Sequence, residues 1–290
     1  MGEKRRWGDR KDGKLLRDLD GMHFIMPLIY PNRCDNEAYI SEKIDLENIN
    51  KYLAEKNADN PEFKYTIFHI VVAALLKTIT LRPKLNRFIV NGNTYQRNEL
   101  SAAFVVKKIF SDTGDEALAI VKATEDDTID TIHQKLFEQI SFCKDENLVD
   151  SSMEAANIFN KIPRFISRAA IKFVCFLDRH GKVPKSLIET DPYYCTAVLS
   201  NLGSIKLHSG YHHLTNWGTC SLFVIVGEKK LRPFYKDDGS YEMRESLELG
   251  ITIDERLADG YYYSKTIKLL QKLLSEPRLL EQHFGEKVEY

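Results

Sequence analysis

Leu249-Gly250-Ile251-Thr252-Ile253-Asp254-Glu255-Arg256-Leu257-Ala258-Asp259-Gly260 is the stretch on which the reading of this chain turns. The residues from about 242 to 253 read as a strand, three charged residues break it, and Asp259-Gly260 follows after two apolar positions. Gly260 supplies a tight turn. Beyond it Tyr263, Ile267, Leu270 and Leu274 recur at helical spacing, which predicts a helix over about 261–274 with that stripe packed inward, stopping before Pro277.

Upstream, strands are predicted over 220–226 and 194–199, the second running into Ser200-Asn201-Leu202-Gly203-Ser204, and Asp237-Asp238-Gly239 marks a turn before the last strand. Residues 87–90, Asn91-Gly92 and 93–95 read as a hairpin closed by a type I′ turn. It follows Leu81-Arg82-Pro83-Lys84-Leu85-Asn86, which ends a helix from about residue 66 that is apolar nearly all round and so buried between layers. Strands at 102–109 and 117–123 flank the polar turn 111–115. Helices are predicted near 46–53, capped by Asp45, and over 128–143. Strands interspersed with helices, with antiparallel hairpin signals, give an α/β class: a two-layer sandwich of a mixed β-sheet with helices. Residues 1–20 form a charged N-terminal arm and 21–290 a single domain.

The segment Asp254-Glu255-Arg256-x-x-Asp259-Gly260 resembles the general-base motif of CoA-dependent acyltransferases of the chloramphenicol acetyltransferase type, a His followed after three residues by Asp-Gly. In dihydrolipoyl acyltransferase catalytic domains it reads Asp-His-Arg-x-x-Asp-Gly. Ser200-Asn201-Leu202-Gly203 is similar to a strand end of the same enzymes, Pro83-Lys84-Leu85-Asn86 to their Pro-x-Leu-Asn, and His23-Phe24 to the His-Phe of the chloramphenicol enzymes. Order and spacing hold over roughly residues 22 to 275. The resemblance implies the two-layer fold, acyl-CoA or coenzyme A as co-substrate, no metal, and a homotrimer with its site between subunits. It also implies an oxyanion-binding role for Ser200 and a loop-organising role for Asp259 through an arginine, here Arg17 or Arg33.

Composition bounds the alternatives. Apolar residues make up 43% of the 290 and charged residues 29%, a globular balance long enough to bury a substantial core. Lys plus Arg (41) nearly cancel Asp plus Glu (42), which disfavours nucleic acid as a partner. Five scattered cysteines without a Cys-x-x-Cys argue against a zinc site or a disulfide framework and for a reducing cytoplasm. The charged start lacks the apolar core of a secretory signal, and no run of about 18 apolar residues offers a membrane span. No lipoyl-type domain or Ala/Pro-rich linker is present, so the swinging-arm core of a 2-oxo acid dehydrogenase is not expected.

Acyl transfer from a thioester needs a base for the incoming nucleophile and a donor for the oxyanion. Glu255 stands where the resembling families carry histidine. A carboxylate does that work when burial or nearby like charges raise its pKa; otherwise Glu255 is a solvated residue or pairs with Arg256 or another subunit. His212 and His213, in the aromatic and polar loop Gly210-Tyr211-His212-His213-Leu214-Thr215-Asn216-Trp217-Gly218, are the other candidate bases. His69, on the apolar helix, reads as a satisfied core histidine. A helix over 162–180, closed by Gly181, sets Phe165, Ile166, Phe173 and Leu177 against a basic line of Arg164, Arg168 and Lys172. That pattern predicts a surface helix with its apolar face in the core, or one meeting a membrane surface or an anionic cofactor. Two functions follow: an acyltransferase acting on a small hydroxyl, amine or thiol acceptor, or a non-catalytic binding or regulatory protein on the same fold.

Overall fold

The computed structural model describes residues 6–107, 116–144 and 162–290; the predicted turn at 111–115 lies outside them. The described elements run β1 (Gly13–Leu15), α1 (Gly21–Ile29), β2 (Glu37–Asp45), α2 (Glu47–Lys56), α3 (Ile67–Leu81), β3 (Arg87–Val90), β4 (Asn93–Arg97), β5 (Leu100–Lys107) and β6 (Glu116–Ala123). They continue through α4 (Ile129–Lys144), α5 (Arg164–Arg179), α6 (Lys185–Thr190), β7 (Ala197–Asn201), β8 (Leu222–Val226), β9 (Lys230–Tyr235), β10 (Tyr241–Asp254) and α7 (Gly260–Ser275).

Seven strands make one mixed sheet in the order β2-β10-β8-β7-β5-β6, with β9 pairing the first half of β10. The β5–β7 and β7–β8 pairs are parallel and the rest antiparallel. The strand predicted at 242–253 is thus the spine of the sheet. Its 14 residues pair with β9 and then β8 on one side and with β2 on the other.

Alternation sends Leu249, Ile251 and Ile253 of β10, with Ala197 and Leu199 of β7, into the core against α3 and α7. The α3 run Ile70–Ile79 is almost wholly buried, as its all-round apolarity predicts. His69 serves as its cap, its Nδ1 accepting the Thr66 N–H at 2.9 Å. Lys77 is fully buried and its ammonium donates to the carbonyls of Leu279, Gln282 and His283 at 2.7, 3.2 and 3.1 Å, which ties the C-terminal segment to α3. The opposite sheet face carries a smaller cluster, including Val198, Phe223 and Ile225, beneath Leu202 and Leu214 of the segment that follows β7.

The hairpin forms as read: Asn91 and Gly92 have φ of 50° and 73°, as a type I′ turn requires. It joins β1 in a second sheet of order β1-β4-β3. Part of the charged N-terminal stretch is tied to this second sheet. Gly13–Leu15 pair with β4, and Arg10 is buried against Asp12 and Asp178 at 2.8 Å each. The α5 helix also departs from the core-facing reading: Phe165, Ile166, Phe173 and Phe176 are all exposed.

Candidate functional site

β10 ends in a short 3-10 turn, Glu255–Leu257, and the Asp259 side chain caps α7 by accepting the Tyr262 N–H at 2.8 Å. That bond holds the exposed Asp259 carboxyl below its usual range. Asp254 and Arg256 are both buried and form a two-point pair, Nε to Oδ1 at 2.8 Å and Nη2 to Oδ2 at 2.6 Å. Arg256 also donates to the Tyr30 carbonyl at 2.7 Å, and Tyr263 Oη donates to the Asp254 carbonyl at 2.8 Å. Glu255 stands between these anchored neighbours. Its backbone N–H is held by the Asn36 carbonyl at 3.0 Å, while its carboxylate is exposed and has no hydrogen-bond or ion-pair partner among the described residues. It does not pair with Arg256, whose guanidinium is taken by Asp254.

The arginine expected near Asp259 lies elsewhere. Arg33 is buried and gives its terminal nitrogens to the carbonyls of Thr215, Gly218 and Ile89, with Nε 3.8 Å from the Asp254 carboxylate. Arg17 pairs with Asp9 at 3.2 Å. Loop organisation around Glu255 therefore runs through Asp254, Arg256 and Arg33, and Asp259 acts as a helix cap. His23 is held by Asp20 at 2.6 Å on α1.

Ser200 lies on β7, on the sheet face opposite Leu199 and so opposite the main core. Its hydroxyl is half-buried and has no partner among the described residues. In register Ser200 is level with Ile225 of β8 and, through it, with Gly250 of β10. Asp254 is four residues further along, a rise of about 13 Å, and two strand spacings of about 4.8 Å intervene. Ser200 and the turn bearing Glu255 thus share one sheet but stand about 16 Å apart within a chain. They do not converge inside one subunit.

The loop predicted to wall the site lies across this gap. Gly210 sits on Gly250, its carbonyl oxygen where a β-carbon would have to go. His212 stacks on Phe223 with ring centroids 4.1 Å apart, and Phe223 is level with Thr252, midway along the interval. The Leu214 N–H donates to Glu37. His212 Nδ1 lies 2.8 Å from the His213 carbonyl and donates to it, which leaves Nε2 outside that bond; His213 has the same arrangement with the Leu214 carbonyl at 3.1 Å. The Thr252 hydroxyl, on the same face, is buried without a partner among the described residues.

Other chemistry finds less support. Cys195 and Cys220 are buried, which pushes the Cys195 thiol up to about 12 and raises that of Cys220, so neither is a nucleophile at neutral pH. All five cysteines are free. Among the described residues no group of three or more His, Cys, Asp or Glu is placed to hold a metal ion, and no helix is long and apolar enough to cross a membrane.

No protein-family model and no curated protein sequence matches the chain. Solved structures do. A probable dihydrolipoamide acetyltransferase from Listeria monocytogenes superposes with a TM-score of 0.56 at 14% identity, over 91% of this chain and 95% of the other. The Azotobacter vinelandii dihydrolipoamide acetyltransferase, studied for the roles of a serine, a histidine and an asparagine in its catalytic mechanism, gives 0.52 at 14% identity over 91% and 93%. A chloramphenicol acetyltransferase gives 0.54 at 13% identity over 90% and 99%. The chain has the fold of these acetyltransferases.

Proposed function

We propose that this chain, built on the acetyltransferase fold, moves an acyl group from an acyl-CoA thioester to a small hydroxyl, amine or thiol acceptor at a site shared between two copies. The observation that carries the reading is the free carboxylate of Glu255, held outward by the buried Asp254–Arg256 pair at the position of the families' histidine. Ser200, on the same sheet, offers an unpaired hydroxyl for the oxyanion.

Because these groups stand about 16 Å apart in one chain, a productive site takes Ser200 from one subunit and Glu255 from its neighbour. A homotrimer meets that need, and the exposed Phe24, Leu28 and Ile29 of α1 suit an interface between copies. Glu255 takes the acceptor's proton as the acceptor attacks the thioester carbonyl. Ser200 donates to the resulting oxyanion, whose collapse expels CoA thiolate.

The base is tested by release of CoA thiol from acetyl-CoA and longer acyl-CoAs across alcohol, amine and thiol acceptors. Glu255→Gln lowers turnover by about 10²–10⁴-fold, the worth of general base catalysis. A second assignment has its own support: His212, its Nδ1 engaged by the His213 carbonyl, stacks on Phe223 over the middle of the same sheet face and leaves Nε2 outside that bond. Wild-type transfer that survives Glu255→Gln and falls in His212→Gln or His213→Gln moves the base to that loop. Acyl-CoA that raises the melting temperature without turnover identifies the non-catalytic binding protein instead.

A further inference from the structure

We infer that α5 is a docking surface for an anionic lipid membrane. The helix is held at one end: Asp178 is buried and takes Arg10 Nη2 at 2.8 Å, fixing the last turn to the body of the protein. Among the described residues the rest packs along a narrow side, where Ala170, Val174 and Leu177 are half-buried. At 100° per residue, the outward half divides into two adjoining strips. One holds Phe165, Ile166, Phe173 and Phe176, exposed by 73%, 45%, 61% and 54%. The other holds Arg164, Arg168, Lys172 and Arg179, all exposed.

No acid faces either strip from within the helix, since its one carboxylate is Asp178, already paired with Arg10. The chain as a whole carries a formal charge of only -1, so this concentration of cations is local. Apolar and charged residues separate more sharply here than on α1, α2, α3, α4 or α7. Aromatic rings beside a row of Arg and Lys are what a helix lying in a bilayer interface requires: rings reach the acyl chains while the cations stay at anionic headgroups.

A second copy of the chain is the rival occupant, and charge separates the two. The exposed apolar face of α1 contains no charged residue, which suits contact with protein. The α5 face is bordered by four cations and calls for a partner rich in negative charge. This inference does not depend on acyl transfer.

The test is flotation of the full-length protein with vesicles of phosphatidylcholine alone or containing phosphatidylglycerol. The wild type floats with the anionic vesicles, not with the zwitterionic ones, and is released by salt. The variant Arg164→Gln/Arg168→Gln/Lys172→Gln partitions about a hundredfold less, at about 1 kcal/mol per surface cation. Arg164→Lys/Arg168→Lys, which keeps charge, floats as the wild type does. Phe173→Trp, a mild exchange at an exposed site, shows blue-shifted emission on the anionic vesicles. The inference is overturned if the wild type fails to float, if the Gln variant floats undiminished, or if anionic vesicles leave the emission of the Phe173→Trp variant unmoved. It is also overturned if Phe173→Glu dissociates an oligomer that ignores lipid, which gives the face to a second copy.

Discussion

Asp254 and Arg256, two residues apart in sequence, clasp each other through two hydrogen bonds of 2.8 and 2.6 Å in a fully buried setting and leave the intervening Glu255 pointing out to solvent. The pair is a clamp on the turn that presents the candidate base. Asp254→Asn keeps the shape and removes the charge, leaving the buried guanidinium uncompensated. A loss of about 3–5 kcal/mol, the usual cost of breaking a buried pair from one side, is expected in urea unfolding. Unchanged stability would show that the Arg256 bond to the Tyr30 carbonyl suffices to hold the turn.

Separation of Ser200 from Glu255 allows a complementation test. Ser200→Ala and Glu255→Gln, each depleted in activity alone, regain it when unfolded together and reassembled. In a random mixture about one quarter of the interfaces unite an intact serine with an intact glutamate. Recovery near that fraction is the expected outcome. A mixture no more active than its components rules out a site shared in this way.

Gly250 has no room for a side chain, because the Gly210 carbonyl oxygen already fills the place of its β-carbon. Gly250→Ala pushes the 203–213 loop off the sheet. Overpacking of this kind costs about 1–3 kcal/mol, read as a lower melting temperature, and displacement of His212 from Phe223 accompanies it. Gly210→Ala, where nothing lies within 4 Å of the added carbon, is milder.

His69 gives the fold a pH dependence of known sign. Burial, reinforced by the nearby His133, pulls its pKa from 6.5 down to about 3. Between those values the unfolded chain binds a proton that the folded chain refuses. Stability contributed by the neutral imidazole is therefore complete above pH 6.5 and lost as pH falls toward 3, by about 1.4 kcal/mol per pH unit inside the window. Denaturant titrations from about pH 7 to 4 show this slope in the wild type and a shallower one in His69→Gln.

Local chemistry made much of the fold legible. The Asn91-Gly92 turn, the buried α3 and the β10–α7 passage follow from turn residues and from apolar period. β2 escaped notice: Glu37-Ala38-Tyr39-Ile40-Ser41-Glu42-Lys43-Ile44-Asp45 is mostly charged or small, and it is a strand because β10 pairs with it along nine residues. α5 shows the reverse. Its periodicity marked a helix correctly, but period alone does not say whether an apolar face meets a core or stays bare. At the candidate site, Glu255 and Ser200 were visible as motif positions. Arg33 was named as a partner for Asp259 and Arg256 as one for Glu255, but their actual partners were not legible, since a buried arginine is recognised by the carbonyls and carboxylate that fold back onto it, all distant in sequence except Asp254 from Arg256.

The spine strand also sets the order in which the molecule can be made. Asp45 closes β2 and is met by Arg244, 199 residues later. At the usual 5–20 residues per second of synthesis, β2 leaves the ribosome about 10–40 s before its partner exists. α2 and α3 emerge into the same interval with the apolar surface that β10 will cover. The nascent chain therefore passes through a long half-built period with an open strand edge, which makes translation speed and chaperone supply, as much as sequence, determinants of its yield.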